Sequence, residues 1–208
     1  MPPLVDSDIF CKLGVMGLLE PSLALFGVGI TECFRLPALP NMLRRGGIPK
    51  LYGSAACNAL IPVAMSMHVA PAASLEWLAP LVGLPKIDPG EAQLFACAAE
   101  NSLLIVTGDK KALIALASVD GFARALAGRI VTLEALLLAL CDRLGQEVVR
   151  LAVQPLLSVR PGELTMKICF SPGNLNPREA LESYFNALMA DVQPLVLWEP
   201  RSAAAGGG

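Results

Sequence analysis

Residues 89–110 read PGEAQLFACAAENSLLIVTGDK and contain the pattern that decides the fold. Pro-Gly-Glu opens an alanine-rich run, 92–101, which predicts a helix. The four apolar residues 103–106 predict a fully buried strand of a parallel sheet. Thr-Gly-Asp ends that strand, and residues 110–117 predict a second helix. A helix, a buried strand and another helix in this order are typical of an α/β fold.

The alternation of strands and helices continues on both sides of this stretch. Upstream, residues 3–5 and 25–30 predict two short apolar strands. Downstream, residues 130–131 predict a strand, and Thr132 is expected to cap a helix over 133–144. We therefore expect a central parallel sheet flanked by helices on both faces.

Further helices are predicted from amphipathic periodicity and from capping and stopping residues. The upstream ones cover residues 9–20, ended by Pro21, then 33–45, and two segments within 50–84.

The C-terminal part of the chain differs from the alternating pattern. It predicts a helix over 146–158, a strand over 164–170 and a helix over 177–190 with Asn176 as its cap. This part either packs on the core or forms a dimer surface. We accordingly divide the chain into a domain at 1–144, an α/β extension at 145–200 and a disordered, low-complexity tail at 201–208.

The composition excludes disorder for most of the chain and shows no overall positive charge that would favour nucleic-acid binding. Of the 208 residues, 54% are hydrophobic and 16% are charged, and the mean hydropathy is +0.58. These values allow a large core. Because the formal net charge is −2, any RNA binding must depend on local basic groups and bound cations.

Cysteine usage points to a reducing compartment. No two of the six cysteines form a C-x-x-C pair, and His68 is the single histidine, so a zinc site is not expected. Buried free thiols and the lack of a signal-peptide pattern predict a cytoplasmic location. Residues 51–75 carry no charged side chain, but they contain prolines and small residues, so we expect no membrane span.

Acidic residues follow the predicted strands. Asp6 follows the first strand, Glu32 the second, and Asp109 the strand at 103–106. Because the carboxyl ends of parallel strands share one edge of a sheet, these side chains are expected to meet there, joined by Glu91 from a helix N-terminus. Crowded carboxylates repel one another until a hard divalent cation binds. Taken singly, Asp6 and Asp109 also fit helix caps, and Glu91 fits a favourable position in the helix dipole.

Four motifs resemble those of PIN domains. LVDSD at 4–8 resembles the opening strand of that family, and the Thr-Glu pair at 31–32 resembles its early acidic position. PGEA at 89–92 resembles the Gly-Glu form of its third acidic position. IVTGDK at 105–110 is similar to its closing strand, which ends in Thr-x-Asp. The resemblance covers about residues 3–140.

The resemblance implies a Mg²⁺- or Mn²⁺-dependent endonuclease that hydrolyses phosphodiester bonds of single-stranded RNA. It implies Asp6, Glu91 and Asp109 as metal ligands, with Glu32 as a fourth catalytic acid. Some family members are toxins of bacterial toxin–antitoxin modules, which makes an antitoxin protein a possible partner. We also expect a homo-oligomer.

Three further residues are expected to support the acids. The resemblance implies that Asp8 is an auxiliary hydrogen-bonding group and that Thr107 orients Asp109 or a bound water. Lys110 lies where it can hold phosphate, and it fits a solvated helix face equally well. The alternative hypothesis is a non-catalytic PIN-like binding or assembly module, which the low charge and apolar surface favour. A membrane-associated protein is a third possibility.

Overall fold

The computed structural model describes residues 1–200, in which five strands form one parallel sheet. The predicted tail at 201–208 lies outside the described residues. The strands are β1 (Pro3–Val5), β2 (Phe34–Arg35), β3 (His68–Val69), β4 (Leu104–Val106) and β5 (Ile130–Val131). Their spatial order is β3-β2-β1-β4-β5. The predicted α/β fold with a central parallel sheet flanked by helices is confirmed.

Helices fill the segments between the strands and most of the C-terminal part. In residues 1–200 they are α1 (Ser7–Val15), α2 (Leu19–Leu23), α3 (Leu39–Arg44), α4 (Gly47–Tyr52), α5 (Ser54–Ser66), α6 (Leu75–Leu78), α7 (Pro89–Asn101), α8 (Lys110–Ala117), α9 (Phe122–Ala125), α10 (Leu133–Leu144), α11 (Gln146–Val159), α12 (Leu164–Cys169) and α13 (Pro177–Asp191).

The strand order reverses direction between β1 and β4. From β1 the chain moves outward through β2 to β3, and from β4 it moves the other way to β5. Connections between parallel strands are right-handed, so this reversal sends the helices of the two halves to opposite faces of the sheet. Val5 and Val106 are register partners, and the Asp6 N–H donates to the Val106 carbonyl at 2.9 Å. The carboxyl ends of β1 and β4 therefore coincide, and a crevice opens between them.

Local sequence explains the elements that were predicted correctly. Asp88 caps α7 and its carboxylate accepts from the Glu91 N–H. Asp109 caps α8, which spans the predicted residues, and Thr132 caps α10, which does so as well. Every residue of β4 is buried, as its unbroken apolar run requires.

The region from residue 17 to residue 45 differs from the prediction. The first helix ends at Val15 because Gly17 adopts a left-handed φ of 68°, and Pro21 lies inside α2 instead of ending α1. The strand predicted at 25–30 is wrong: the chain forms short 3₁₀ helices there, at Ala24–Phe26 and Ile30–Glu32.

The second strand lies a few residues later, at Phe34–Arg35, where a helix over 33–45 was predicted. Pro37 disfavours the α conformation at the residue before it, so the helix begins only at Leu39. The charge-free stretch 51–75 contains α5, a third strand at His68–Val69 that was not predicted, and the start of α6.

The extension is helical apart from its last described residues. The strand predicted at 164–170 is wrong, since Leu164–Cys169 is helix α12. Its buried residues Met166, Cys169 and Phe170 are three and four positions apart, which is the period of a helix face and not of a strand. Helices α11 and α13 pack against α10, and Leu197 forms a single parallel bridge with Ile130 at the edge of the sheet.

Within residues 1–200, no single helix is both long and apolar enough to cross a bilayer. The pair Ser7–Val15 and Leu19–Phe26 reaches the required length and apolarity only together, and it is bent by 119°.

Candidate functional site

A cavity of about 500 Å³ opens at the carboxyl ends of β1 and β4, where the strand order reverses. Three helices, α1, α7 and α8, begin at this cavity. Their N-termini carry partial positive charge, which favours nearby anions. The cavity is lined by five carboxylates, which belong to Asp6, Asp8, Asp88, Glu91 and Asp109. Acids that are far apart in the sequence therefore share one cavity.

Asp6 is the first residue after β1 and is partly buried. Its Oδ2 accepts from the Asp8 N–H at 3.3 Å, which caps α1. Burial and the nearby Asp8 charge raise the pKa of Asp6 to about 6, although the backbone N–H groups at the start of α1 act to lower it. A carboxyl group with this pKa holds its negative charge weakly and gains most from a bound cation.

Glu91 lies in the first turn of α7 and forms a reciprocal capping box with Asp88. The Glu91 N–H donates to Asp88 Oδ1, and the Asp88 N–H donates to Glu91 Oε2, both at 2.8 Å. Burial, together with the charges of Asp109, Asp88 and Asp6, raises the pKa of Glu91 to about 7, although the hydrogen bond from the Asp88 N–H acts to lower it. Glu91 is therefore close enough to Asp6 and Asp109, the other two predicted metal ligands, for their charges to affect its pKa.

Asp109 is exposed at the start of α8, and its Oδ1 accepts from the Ala112 N–H at 2.9 Å. The residue before it, Gly108, packs tightly on α1, because a Cβ atom there would lie 2.7 Å from Ile9 Cδ1. Glycine thus lets the end of β4 approach α1 closely enough to place Asp109 and Asp6 on one cavity wall.

Thr107 and Lys110 do not line this cavity. Thr107 is buried, and its N–H donates to the Val131 carbonyl in the sheet. Lys110 pairs with Asp191 and lines a neighbouring cavity of about 370 Å³.

Asp8 belongs to an ion-pair network that joins α1 to the extension. Lys12 Nζ lies 2.9 Å from Asp8 and 3.0 Å from Glu163, and Arg160 lies 2.8 Å from each of the same two acids. The Tyr52 hydroxyl also donates to Asp8. Burial acts to raise the pKa of Asp8, but Lys12, Tyr52 and Arg160 outweigh it, so the pKa lies below its ordinary value.

Glu32 lies away from the acidic cavity. It precedes β2, whereas the prediction placed it after the second strand, so it lies toward the amino edge of the sheet. Its Oε2 accepts from the Gly29 N–H at 2.8 Å in an exposed turn. The expectation that Glu32 emerges beside Asp6 is wrong, because the strand that was assigned to 25–30 lies at Phe34–Arg35.

The capping roles considered for the single acids are present alongside the shared cavity. Asp6 and Asp109 cap α1 and α8, and Glu91 closes the capping box of α7. In residues 1–200 no three Asp, Glu, His or Cys side chains are arranged so that they could hold one metal ion. The oxygen-rich donor set fits a hard divalent cation by its chemistry. In the structure, the carboxylates of Asp6, Glu91 and Asp109 are oriented to accept hydrogen bonds from backbone N–H groups at the helix N-termini.

Three residues of the cavity region were missed in the sequence. Asp88 could have been identified from the sequence, because an Asp three residues before a Glu is typical of a capping box at the start of a helix. Tyr52 and Arg160 carry none, since their approach to Asp8 depends on how distant helices pack. The cavity is also lined by apolar side chains, which include Leu36, Met42 and Ile48.

Comparison of the chain with protein-family models, curated proteins and solved structures finds no match in any of the three. The likeness to PIN domains therefore depends on the sequence motifs alone and stays a prediction.

Proposed function

We propose that this chain is a Mg²⁺- or Mn²⁺-dependent ribonuclease of PIN-like fold that hydrolyses phosphodiester bonds of single-stranded RNA. The observation that supports the proposal is the gathering of Asp6, Glu91 and Asp109 on one cavity at the reversal point of the sheet. Ligands and substrates of open α/β folds bind at this location.

The acids would serve as ligands and the cavity walls would position the strand. A divalent cation would neutralise the crowded carboxylates and make a bound water more acidic. Asp6, Glu91 and Asp109 would each turn an oxygen toward it, since a carboxylate has about four lone-pair sites and capping uses only part of them. The apolar side chains that line the cavity, such as Met42 and Ile48, would exclude water from part of the substrate.

The test is cleavage of a fluorescently labelled single-stranded RNA with Mn²⁺ and with EDTA. We expect Asp109→Asn to lower the rate at least about 100-fold, because an amide is a neutral and weaker ligand for a hard cation. Asp120→Asn is the matched control, since Asp120 is an exposed acid outside the cavity lining. Cleavage that persists in EDTA, or that Asp109→Asn retains, overturns the proposal.

A cytoplasmic location and a toxin role extend this proposal. All six cysteines are buried and free, which fits a reducing compartment. A toxin would arrest growth when expressed, and Asp109→Asn would relieve the arrest. An antitoxin protein and a homo-oligomer remain predicted partners.

The second candidate is a PIN-like binding or assembly module without catalysis. It is favoured by the capping bonds of Asp6, Glu91 and Asp109, which give each acid a structural reason to be present. Such a module would bind RNA or protein stoichiometrically, without turnover in Mn²⁺.

A further inference from the structure

Arg160 brings the C-terminal extension to the acidic cavity. It follows α11, lines the cavity together with Asp6 and Asp109, and its side chain is 24% exposed. Residues 145–200 therefore contribute a cation to a cavity that the first 144 residues line with acids.

The partners of Arg160 are side chains of the cavity region. Its Nη1 donates to Asp8 Oδ1 at 2.8 Å and to the Tyr52 hydroxyl at 2.7 Å, and its Nη2 lies 2.8 Å from Glu163 Oε1. The guanidinium also lies 5.2 Å from the centre of the Tyr52 ring. A guanidinium has five N–H donors, so these contacts leave donors for a ligand.

Lys12 is a second cation beside the acidic partners of Arg160. The buried Lys12 ammonium contacts both carboxylates that Arg160 contacts, Asp8 at 2.9 Å and Glu163 at 3.0 Å. Asp8 and Glu163 therefore each contact two cations. The two acids carry two negative charges, which Lys12 and Arg160 together balance, so Arg160 keeps its contacts with them while it binds a ligand through its unused N–H groups.

Arg150, on the same part of the chain, differs in this respect. It donates to the Ser171 and Asn174 carbonyls at 2.7 and 2.6 Å and pairs with Glu147. These contacts fix the loop between α12 and α13, and none of them involves a residue that lines the acidic cavity. Arg150 is therefore a structural arginine and a suitable control.

We propose that the Arg160 guanidinium binds a phosphate group of the RNA strand, so that the extension is part of the substrate-binding site. This inference rests on the proposed function. The planar fork of arginine matches two phosphate oxygens, and the contacts above leave the Nε–H and one Nη2–H of Arg160 for them. A strand entering the acidic cavity then meets one fixed cation on the extension side.

The experiment measures the salt dependence of RNA binding. A fluorescein-labelled oligouridine is titrated by fluorescence anisotropy at several salt concentrations with Mg²⁺ present. The protein carries Asp109→Asn so that the strand stays whole, which a gel verifies. The slope of log K against log salt is negative, and loss of one phosphate contact reduces its magnitude by about 0.7 for a single strand. We expect this decrease in Arg160→Gln, and an unchanged slope in Arg150→Gln.

The possible results distinguish the role of Arg160 from the proposed function as a whole. An unchanged slope in Arg160→Gln, with binding by the parent protein, overturns the role of Arg160 and leaves the proposed function standing. Absence of RNA binding by the parent protein overturns both. If circular dichroism shows that Arg160→Gln is unfolded, Arg160→Lys decides instead. Because lysine lacks the two-pronged contact, we expect several-fold weaker binding, and an affinity equal to that of the parent overturns the proposal.

Discussion

Two groups of carboxylates near one cavity differ in their counter-ions. In the described part of the chain, Asp6 and Glu91 form no ion pair with a lysine or arginine. Burial raises their pKa values to about 6 and about 7. Asp8, two residues from Asp6, contacts both Lys12 and Arg160, and its pKa lies below the ordinary value despite burial.

The difference shows that the counter-ion, and not burial alone, decides the charge state of an acid. The matched group consists of Asp8 and Glu163 with their cations Lys12 and Arg160. It joins α1 to the extension, and we expect it to contribute to stability. The unmatched group, with Asp6 and Glu91, is where an added divalent cation removes the largest electrostatic cost. Under the proposed function, stability and cation binding would thus fall to separate acids of one region.

The largest expected effect comes from breaking the matched group at its centre. Lys12→Met removes one of the two cations that balance Asp8 and Glu163, and leaves Arg160 as the one counter-ion for two acids. We expect the free energy of unfolding to fall by about 3 kcal/mol, since removing one partner leaves buried charge uncompensated. Urea denaturation measures the loss, and the exposed Lys111→Met serves as control. A loss below about 1 kcal/mol would show that the network adds little.

A smaller effect is expected when the unmatched group is titrated without metal. The folded pKa of Glu91 exceeds the unfolded one, so between these values the folded protein binds more protons and acid favours folding. After discounting for partial exposure, we expect the unfolding free energy to rise by about 2 kcal/mol from pH 8 to pH 5 in EDTA.

Glu91→Gln, which keeps the capping acceptor, should make this pH dependence shallower. Asp8 does not oppose it, because the lowered pKa of Asp8 affects stability only at more acidic pH. Stability that falls over this range in urea denaturation would contradict the assignment of raised pKa values to Asp6 and Glu91.

The smallest effect separates capping from cation binding at Asp109. Asparagine also caps helices, so Asp109→Asn should change the unfolding free energy by only a few tenths of a kcal/mol, whereas Asp109→Ala should lose about 1 kcal/mol. Thermal denaturation compares the two variants. If Asp109→Asn is as destabilising as Asp109→Ala, then the negative charge at the N-terminus of α8 matters more than the hydrogen bond.

The elements around residues 89–144 were predictable because each carries its own signals. The run at 103–106 is apolar throughout, and the helices beside it begin at Asp88, Asp109 and Thr132, whose side chains accept capping bonds. Residues 25–35 carry conflicting signals. The apolar run there is interrupted by Gly27, which adopts a φ of 70°, and the strand is only two residues long. Because of these conflicting signals, the sequence placed Glu32 after a strand, whereas it precedes β2 and lies away from the cavity.

The sequence by itself determined the parallel α/β fold and the three acids at helix N-termini, because strand composition and capping are local properties of the chain. Only the tertiary structure decided that Asp8, and not these three acids, is matched by cations. Arg160 meets Asp8 and Tyr52 across more than a hundred residues of chain through the packing of the extension on the sheet domain, and no local pattern encodes that meeting. The electrostatic character of the cavity is therefore a property of the packed molecule.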